Sequence, residues 1–84
     1  MLTSDLKEQG YKQGYSDAKK ALSERGYASR KTIVSNTVVD EKKIRSELME
    51  HLKVGRNKAF TLALIYAFAY DRGVLEAAYG SDSK

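Results

Sequence analysis

The 84-residue sequence contains no cysteine and no proline, and it has a single histidine. Without cysteine the chain can form neither a disulfide nor a thiolate metal site. His51 has no second histidine with which to share a metal ion, so neither a metal site nor a cofactor is predicted. The lack of proline favours a mostly helical chain with short connections, because proline interrupts helices.

Catalytic motifs are also missing. The sequence has no P-loop, no GxGxxG run and no cluster of His, Asp and Glu at metal-ligand spacing. An enzyme is therefore not predicted. His51 stands beside Leu48 and Leu52, and we interpret it as a surface or interface residue of a helix.

A long apolar run is the third absence. A membrane-spanning helix needs roughly 20 apolar residues, and no stretch of the sequence reaches that length. The N-terminus, MLTSDLKEQG, carries acidic residues and lacks the apolar run of a secretory signal. No membrane partner is predicted, and a cytoplasmic location is expected.

The composition is that of a folded domain, with 42% hydrophobic and 31% charged residues. We expect one domain over residues 1–84, near the size at which a core is only marginally stable and oligomerisation commonly helps. The net charge is +4, and thirteen of the 15 basic residues precede residue 59. This distribution is a mild indication of a polyanionic partner.

The segment 57–70, NKAFTLALIYAFAY, is the most apolar part of the chain and carries no charge after residue 58. Its length and its alanines favour a helix. Phe60, Leu64 and Phe68 would lie on one side, and Leu62 and Tyr66 on another. A helix that is apolar on nearly every side must be covered all round. Either the other helices or a second copy of the chain could cover it, and we predict the centre of a dimer core.

A first helix is predicted over residues 4–25, within an N-terminal helical region of residues 1–28, with Ser4 as its cap and Gly26 as its stop. The repeat GYKQGY places two glycines on one face, which indicates that another backbone passes close by. That backbone could be this protein's own core helix or a binding partner. The predicted partner-binding residues are Gly10, Tyr11, Gly14 and Tyr15.

Residues 32–39, TIVSNTVV, carry the only strand signal, because six of these eight residues are β-branched. A lone strand leaves its backbone N–H and C=O groups unpaired. A second copy would pair with it in an antiparallel ribbon about a two-fold axis. The strand and the apolar helix therefore both predict a homodimer.

Two helices follow the strand. Asp40 is predicted to cap a helix over residues 40–54, which ends at Gly55. Asn57 is then predicted to cap the apolar helix, which would run to Arg72 and stop at Gly73. Residues 74–79 could add a further turn, and residues 80–84 are expected to form a frayed tail.

This order of strand, helix, Gly-Arg-Asn turn and long helix resembles the ribbon-helix-helix superfamily of DNA-binding proteins (Arc and methionine repressor type). The resemblance covers residues 32–72, and its best local match is VGRNKA at residues 54–59. It implies an intertwined homodimer whose two-stranded ribbon enters the major groove of double-stranded DNA. A small transcriptional repressor is the function that this implies.

The ribbon has two possible registers. In one register Val34, Asn36 and Val38 face the DNA, and in the other Ser35 and Thr37 do. The first is favoured because asparagine can read an adenine edge with two hydrogen bonds. Further DNA contacts, mainly to phosphates, are predicted for the basic residues nearest the ribbon and for the start of the last helix: Arg30, Lys31, Lys42, Lys43, Arg56, Asn57 and Lys58.

Two alternatives stay open. The segment ALSERGYASRKTIVSNTV is similar to a helix-turn-helix, with Gly26 in the turn and SRKTIVSNTV as the recognition helix. That alternative gives an all-α fold, and it also leads to DNA. The other alternative is a small protein-binding module, such as a phage- or plasmid-type inhibitor, that uses the Gly/Tyr N-terminal helix.

Overall fold

The computed structural model describes residues 2–26 and 30–80, and within these ranges the chain is helical with no strand. The four helices are α1 (Leu2–Arg25), α2 (Arg30–Asn36), α3 (Glu41–Leu52) and α4 (Arg56–Ala78). The predicted mostly α fold class is confirmed. The predicted tail lies outside the described residues except for Gly80.

Helices α1 and α4 form the most extensive helix pair, and they run parallel. Near the start of α1, Gly10 lies against the backbone carbonyl of Tyr66. Near its end, Leu22 shares a buried cluster with Ala78. The contacts therefore advance in the same direction along both helices. The chain returns between them through α2 and α3, and α3 is antiparallel to both.

Three glycines allow the two backbones to touch. A Cβ atom on Gly14 would overlap the backbone of Tyr70, and a Cβ atom on Gly73 would overlap the backbone of Tyr11. Gly10 is buried in the same interface. Of the two interpretations of the glycine repeat, the structure shows the first, in which the glycines dock α1 on this protein's own core helix.

The predicted end of the last helix at Arg72 is wrong. α4 continues through Gly73 to Ala78, and Gly73 does not have the positive φ of a helix-stopping glycine. A glycine inside a helical pattern can mark either a C-terminus or a close packing contact. Here it marks the contact with α1.

The predicted end of α1 is confirmed. Gly26 has φ +92°, in the left-handed region that glycine adopts without strain. Its backbone N–H donates to the carbonyl of Leu22 at 2.7 Å. The predicted cap at Ser4 is wrong, because α1 begins two residues earlier, at Leu2.

The strand predicted over residues 32–39 does not form in this chain. Residues 30–36 are helix α2, and residues 37–40 are a non-helical connection to α3. The buried side chain of Ile33 shares a cluster with Leu22 and Ala78. The N–H of Thr37 donates to the carbonyl of Ile33 at 2.8 Å and closes the last turn.

The physical reason is the lack of a partner strand. A helix satisfies its backbone hydrogen bonds internally, whereas a single strand leaves them to water. The helical cost of a β-branched residue relative to alanine is only about 0.3–0.7 kcal/mol. Burial of Ile33 against α1 and α4 offsets that cost, since a fully buried isoleucine contributes about 1.5–3 kcal/mol.

The cap of α3 is confirmed, but the α3–α4 connection differs from the prediction. The Asp40 carboxylate accepts a hydrogen bond from the Lys43 N–H at 3.3 Å. The helix ends at Leu52, because Lys53 is left-handed with φ 57°. Gly55, and not Asn57, is the N-cap residue of α4. Asn57 therefore lies within the first turn of α4 and does not cap it.

Within the single chain, the other helices cover one side of α4, and a second copy is the other predicted cover. The covered side is buried and includes Ala63, Ala67 and Val74. The outward side is open in the single chain, with exposed fractions of 67% for Phe68, 48% for Leu75 and 40% for Tyr79. Phe60 is 44% exposed and lies on the side towards α3, where the guanidinium of Arg45 is 5.7 Å from its ring centroid.

Replacing either Gly14 or Gly73 by alanine should destabilise the fold, because the added methyl group meets backbone that cannot move aside. We expect the free energy of unfolding to fall by about 1–3 kcal/mol, as for other overpacked cores, although alanine favours a helix. Urea denaturation measures this change. The control Ser16→Ala alters an exposed position of α1 and should be neutral or stabilising. Equal stability of the glycine variants and the control would contradict the packing described here.

Candidate functional site

Helix α2 presents a polar surface at one end of the α1–α4 pair. Its inward side chain is Ile33, which is 2% exposed, and Val34 is half-buried beside it. The outward side chains are exposed and consist of one basic and three hydrogen-bonding residues: Lys31, Thr32, Ser35 and Asn36. α2 is thus held to the core by apolar contacts and offers basic and amide groups to solvent.

The three ribbon residues with predicted DNA contacts differ in their exposure to solvent. Asn36 and Val38 are exposed, and Val38 has 65% of its surface free. Val34 instead packs against the two buried clusters that link α1 and α4. In the other register, Ser35 is exposed and Thr37 is half-buried. A strand would expose the residues of one register and bury those of the other. In the helix, Asn36 of the first register and Ser35 of the second are both exposed.

The predicted phosphate-binding residues lie in three groups, two of which are at the ends of α4. Arg30 is over the ring of Tyr79, 5.6 Å from its centroid, at the C-terminal end of α4. The exposed Arg56, Asn57 and Lys58 form the first turn of α4. At 1.5 Å per residue, the 23 residues from Arg56 to Ala78 place these groups about 34 Å apart along the helix. The structure does not bring them together.

The other two predicted contacts, Lys42 and Lys43, lie in the first turn of α3 and are exposed. Lys43 also lines a cleft between α1 and α3 together with Asp17 and Asp40. The negative charges of Asp17 and Asp40 partly offset the positive charge of Lys43 in this cleft. Lys42 does not line the cleft.

The predicted partner-binding residues of α1 divide by burial. Gly10 and Gly14 are buried against α4 and cannot touch another molecule. Tyr11 is 38% exposed, and its ring stacks on that of Tyr15 at 6.3 Å between centroids. Of the four predicted partner-binding residues, a partner could therefore reach only the two tyrosines.

Sequence reasoning missed a cleft between α1 and α3, with a volume of about 360 Å³. α1 provides one wall and α3 the other, and Tyr66 of α4 lies between them. Its lining residues are Asp5, Leu6, Gln9, Ile44, Glu47, Leu48, His51, Leu52 and Tyr66. A second cleft of about 310 Å³ adjoins it and shares Ile44, Glu47 and Tyr66.

Two tyrosines of α4 face the carboxylates of these clefts. The Tyr70 hydroxyl donates a hydrogen bond to Asp17 at 2.5 Å. Burial raises the pKa of Tyr70 well above its usual range, and the hydrogen bond to Asp17 raises it further. Burial also raises the pKa of Tyr66, with smaller contributions from the charges of Asp17 and Glu47. Both phenols therefore hold their protons to higher pH than an exposed tyrosine, and Tyr70 donates its proton to the hydrogen bond with Asp17.

The described side chains of the clefts form no metal-ligand cluster. Within residues 2–26 and 30–80, no group of three or more His, Cys, Asp or Glu side chains is placed to hold a metal ion. The polar line Asp5, Gln9, Gln13 and Asp17 was visible in the sequence as residues four apart. These residues line clefts only because α3 packs opposite them. α3 is distant in sequence, and no local sequence pattern shows that it lies beside α1.

Comparison with known proteins identifies no relative: no family model, no curated protein and no solved structure matches the chain. In the described part of the chain, no helix has both the length and the apolar character required to cross a membrane.

Alkaline pH should destabilise the fold through the cleft tyrosines. Their pKa values in the folded chain are raised above 10.0, the ordinary value of tyrosine. The unfolded chain therefore releases these protons first, and stability is full below pH 10 and declines as pH rises above it. Urea denaturation between pH 8 and pH 11 measures the decline.

Tyr70→Phe should make that decline shallower. It should also lower stability at pH 8 by about 1.5–3 kcal/mol, the usual contribution of a hydrogen bond to a charged group. Tyr11→Phe changes an exposed phenol and should have almost no effect at pH 8. If the pH profile of Tyr70→Phe coincided with that of the unmodified protein, the Tyr70–Asp17 interaction would not exist in solution.

Proposed function

We propose that this protein binds double-stranded DNA in a sequence-specific manner, as a small dimeric transcriptional repressor in the cytoplasm. One observation carries the proposal. α2 is a short helix anchored to the core by Ile33, and its free face is basic and rich in hydrogen-bonding side chains. A helix of this kind is what the major groove admits, and amide and hydroxyl side chains are groups that read base edges there.

The helical form of α2 favours the helix-turn-helix version of the proposal. α1, the turn at Gly26 and α2 follow in the order of that motif. Asn36 can form two hydrogen bonds to an adenine edge, and the exposed Lys31, five residues earlier in α2, would contact a phosphate. The predicted recognition helix began at Ser29, which lies outside the described residues.

The ribbon-helix-helix version requires a change of structure. Two chains would pair residues 32–39 as antiparallel strands, and α2 would lose its helical hydrogen bonds. Residues 37–40 are already non-helical. Backbone chemical shifts of residues 30–36 in a DNA complex distinguish the two versions, because helical shifts support the helix-turn-helix and extended shifts support the ribbon.

In either version the exposed basic side chains of Lys42 and Arg56 would contact phosphates. Contacts of this type strengthen binding to all sequences alike. The two basic groups at the ends of α4 lie about 34 Å apart along the helix, which is close to one turn of B-form DNA. A straight duplex that touched both groups would present the same groove to each.

A second function is favoured by the stacked tyrosine pair of α1, in which Tyr11 is exposed and Tyr15 is half-buried. Aromatic side chains on a helix surface are frequent anchors of protein interfaces, so a protein-binding module is the second candidate. The two classes differ in salt dependence. Binding to DNA weakens steeply with salt because counterions are released, whereas an interface centred on tyrosines changes little.

Asn36→Ala should relax sequence preference without unfolding the protein, because Asn36 is exposed. Selection from a random duplex library identifies the preferred site, and competition binding then measures discrimination. We expect a loss of about 1–3 kcal/mol at one base pair. Asn57→Ala is the matched control, since it removes an exposed amide at the other end of α4 and should leave base preference unchanged.

Absence of binding to any duplex at about 50 mM salt, where the electrostatic contribution is strong, would refute the proposal. It would leave the protein-binding module. An unaltered base preference in Asn36→Ala, with an altered one in Arg30→Ala, would instead place the recognition contacts at the start of α2.

A further inference from the structure

The open face of α4 carries an apolar stripe, which the exposed side chains of Asp71 and Arg72 flank on either side between Phe68 and Leu75. Leu64, Phe68, Leu75 and Tyr79 follow one another at intervals of four, seven and four residues, which aligns them on one side of a helix. The exposure of Phe68 is 67%, the highest of the large apolar side chains in the described residues. From Leu64 to Tyr79 the helix rises by 15 residue steps, or about 22 Å.

Two opposite charges border this stripe in a regular way. Lys58 and Glu76 are 18 residues apart (76 − 58), and 18 residues are five full turns of an α-helix. The two side chains therefore lie along the same border of the stripe. Each is nine residues from Ala67, so the midpoint between the charges falls next to Phe68.

This arrangement is self-complementary for two antiparallel copies of α4. A two-fold axis near residue 67 places Lys58 of each copy opposite Glu76 of the other, which forms two ion pairs on the same border. The two Phe68 rings meet at the centre. Antiparallel helices also align their dipoles favourably. Within each copy, Arg72 lies one turn before Glu76, so Glu76 would lie between two cations.

A groove at the C-terminal end of α4 fits the same geometry. It has a volume of about 440 Å³ and lies beside the stripe, lined by Arg72, Leu75, Glu76, Tyr79 and Gly80. In the antiparallel arrangement the first turns of the second copy's α4 pass over this groove. The hydrocarbon stem of Lys58 could then lie in the groove while its ammonium group reaches Glu76.

We propose that two copies of this chain dimerise through the outward faces of α4, packed antiparallel about Phe68. The chain is small enough that its own core buries a limited area, and the dimer would cover the apolar side chains that α1, α2 and α3 leave open. This dimer keeps α2 helical, unlike the ribbon, and it does not depend on DNA binding.

The dimer has one consequence that does rest on the proposed function. α2 contacts α4 near Ala78 and Tyr79, about 12 residues from the midpoint at Ala67. Two copies of α2 would therefore lie about 36 Å apart along the paired helices. Helix-turn-helix dimers bind half-sites about 34–36 Å apart, one turn of DNA. The dimer thus predicts a palindromic site with its half-sites one turn apart.

Charge exchange tests the dimer. Lys58→Glu and Glu76→Lys each place like charges opposite one another at both ends of the interface. Each variant should weaken dimerisation by about tenfold or more, as two ion pairs turn into two repulsions. The double variant restores both pairs and should dimerise as the unmodified protein does. A mixture of the two single variants should form heterodimers for the same reason.

Sedimentation equilibrium across the micromolar range measures these dissociation constants, and circular dichroism shows that each variant is folded. Lys20→Glu changes an exposed charge on α1 and should leave dimerisation unchanged. Phe68→Ser should give a folded monomer. A wild-type protein that stays monomeric up to about 100 μM, single variants that dimerise normally, or a double variant that stays dissociated would each overturn the proposal.

The proposed dimer and the proposed DNA binding can be refuted independently of each other. If the charge-exchange series behaves as expected but no duplex is bound, the dimer stands and the repressor function falls. If duplex DNA is bound while the wild-type chain stays monomeric, the α4 interface is wrong and DNA binding remains.

Discussion

The close approach of the α1 and α4 backbones is the constraint on which the rest of the structure depends. Gly14 and Gly73 leave no room for a side chain at the contact, so the two helices sit closer than ordinary helix pairs. Each glycine costs about 1 kcal/mol of helix propensity relative to alanine. The chain accepts that cost because the approach buries the alanine-rich face of α4 along nearly its whole length.

Because α1 and α4 are parallel, the chain between them must run back from the end of α1 to the start of α4. α2 and α3 form this connection, and their positions determine where the polar surface of α2 and the clefts lie. α2 covers the end of the pair at Leu22 and Ala78, and α3 descends beside Tyr66, separated from α1 by the cleft. Among the described residues, no further helix covers the outer face of α4, and Phe68 is therefore exposed.

The behaviour of residues 30–36 shows how the surroundings decide secondary structure. Their β-branched residues favour a strand by a few tenths of a kcal/mol each. In the single chain no second strand is present, and a helix at the same place buries Ile33 and pairs its own backbone. The exposed polar face of α2 and its proposed role in DNA recognition both follow from that choice.

The sequence by itself determined the features that depend on neighbouring residues: the stop at Gly26, the cap at Asp40 and the helical, apolar character of the segment 57–70. Only the tertiary structure decided that Gly73 is a packing contact, that α2 is a helix and that the Tyr70–Asp17 hydrogen bond links α4 to α1. Capping and helix propensity act within a few residues. Backbone approach, burial and cleft formation depend on segments far apart in the chain, and no local pattern specifies which segments meet.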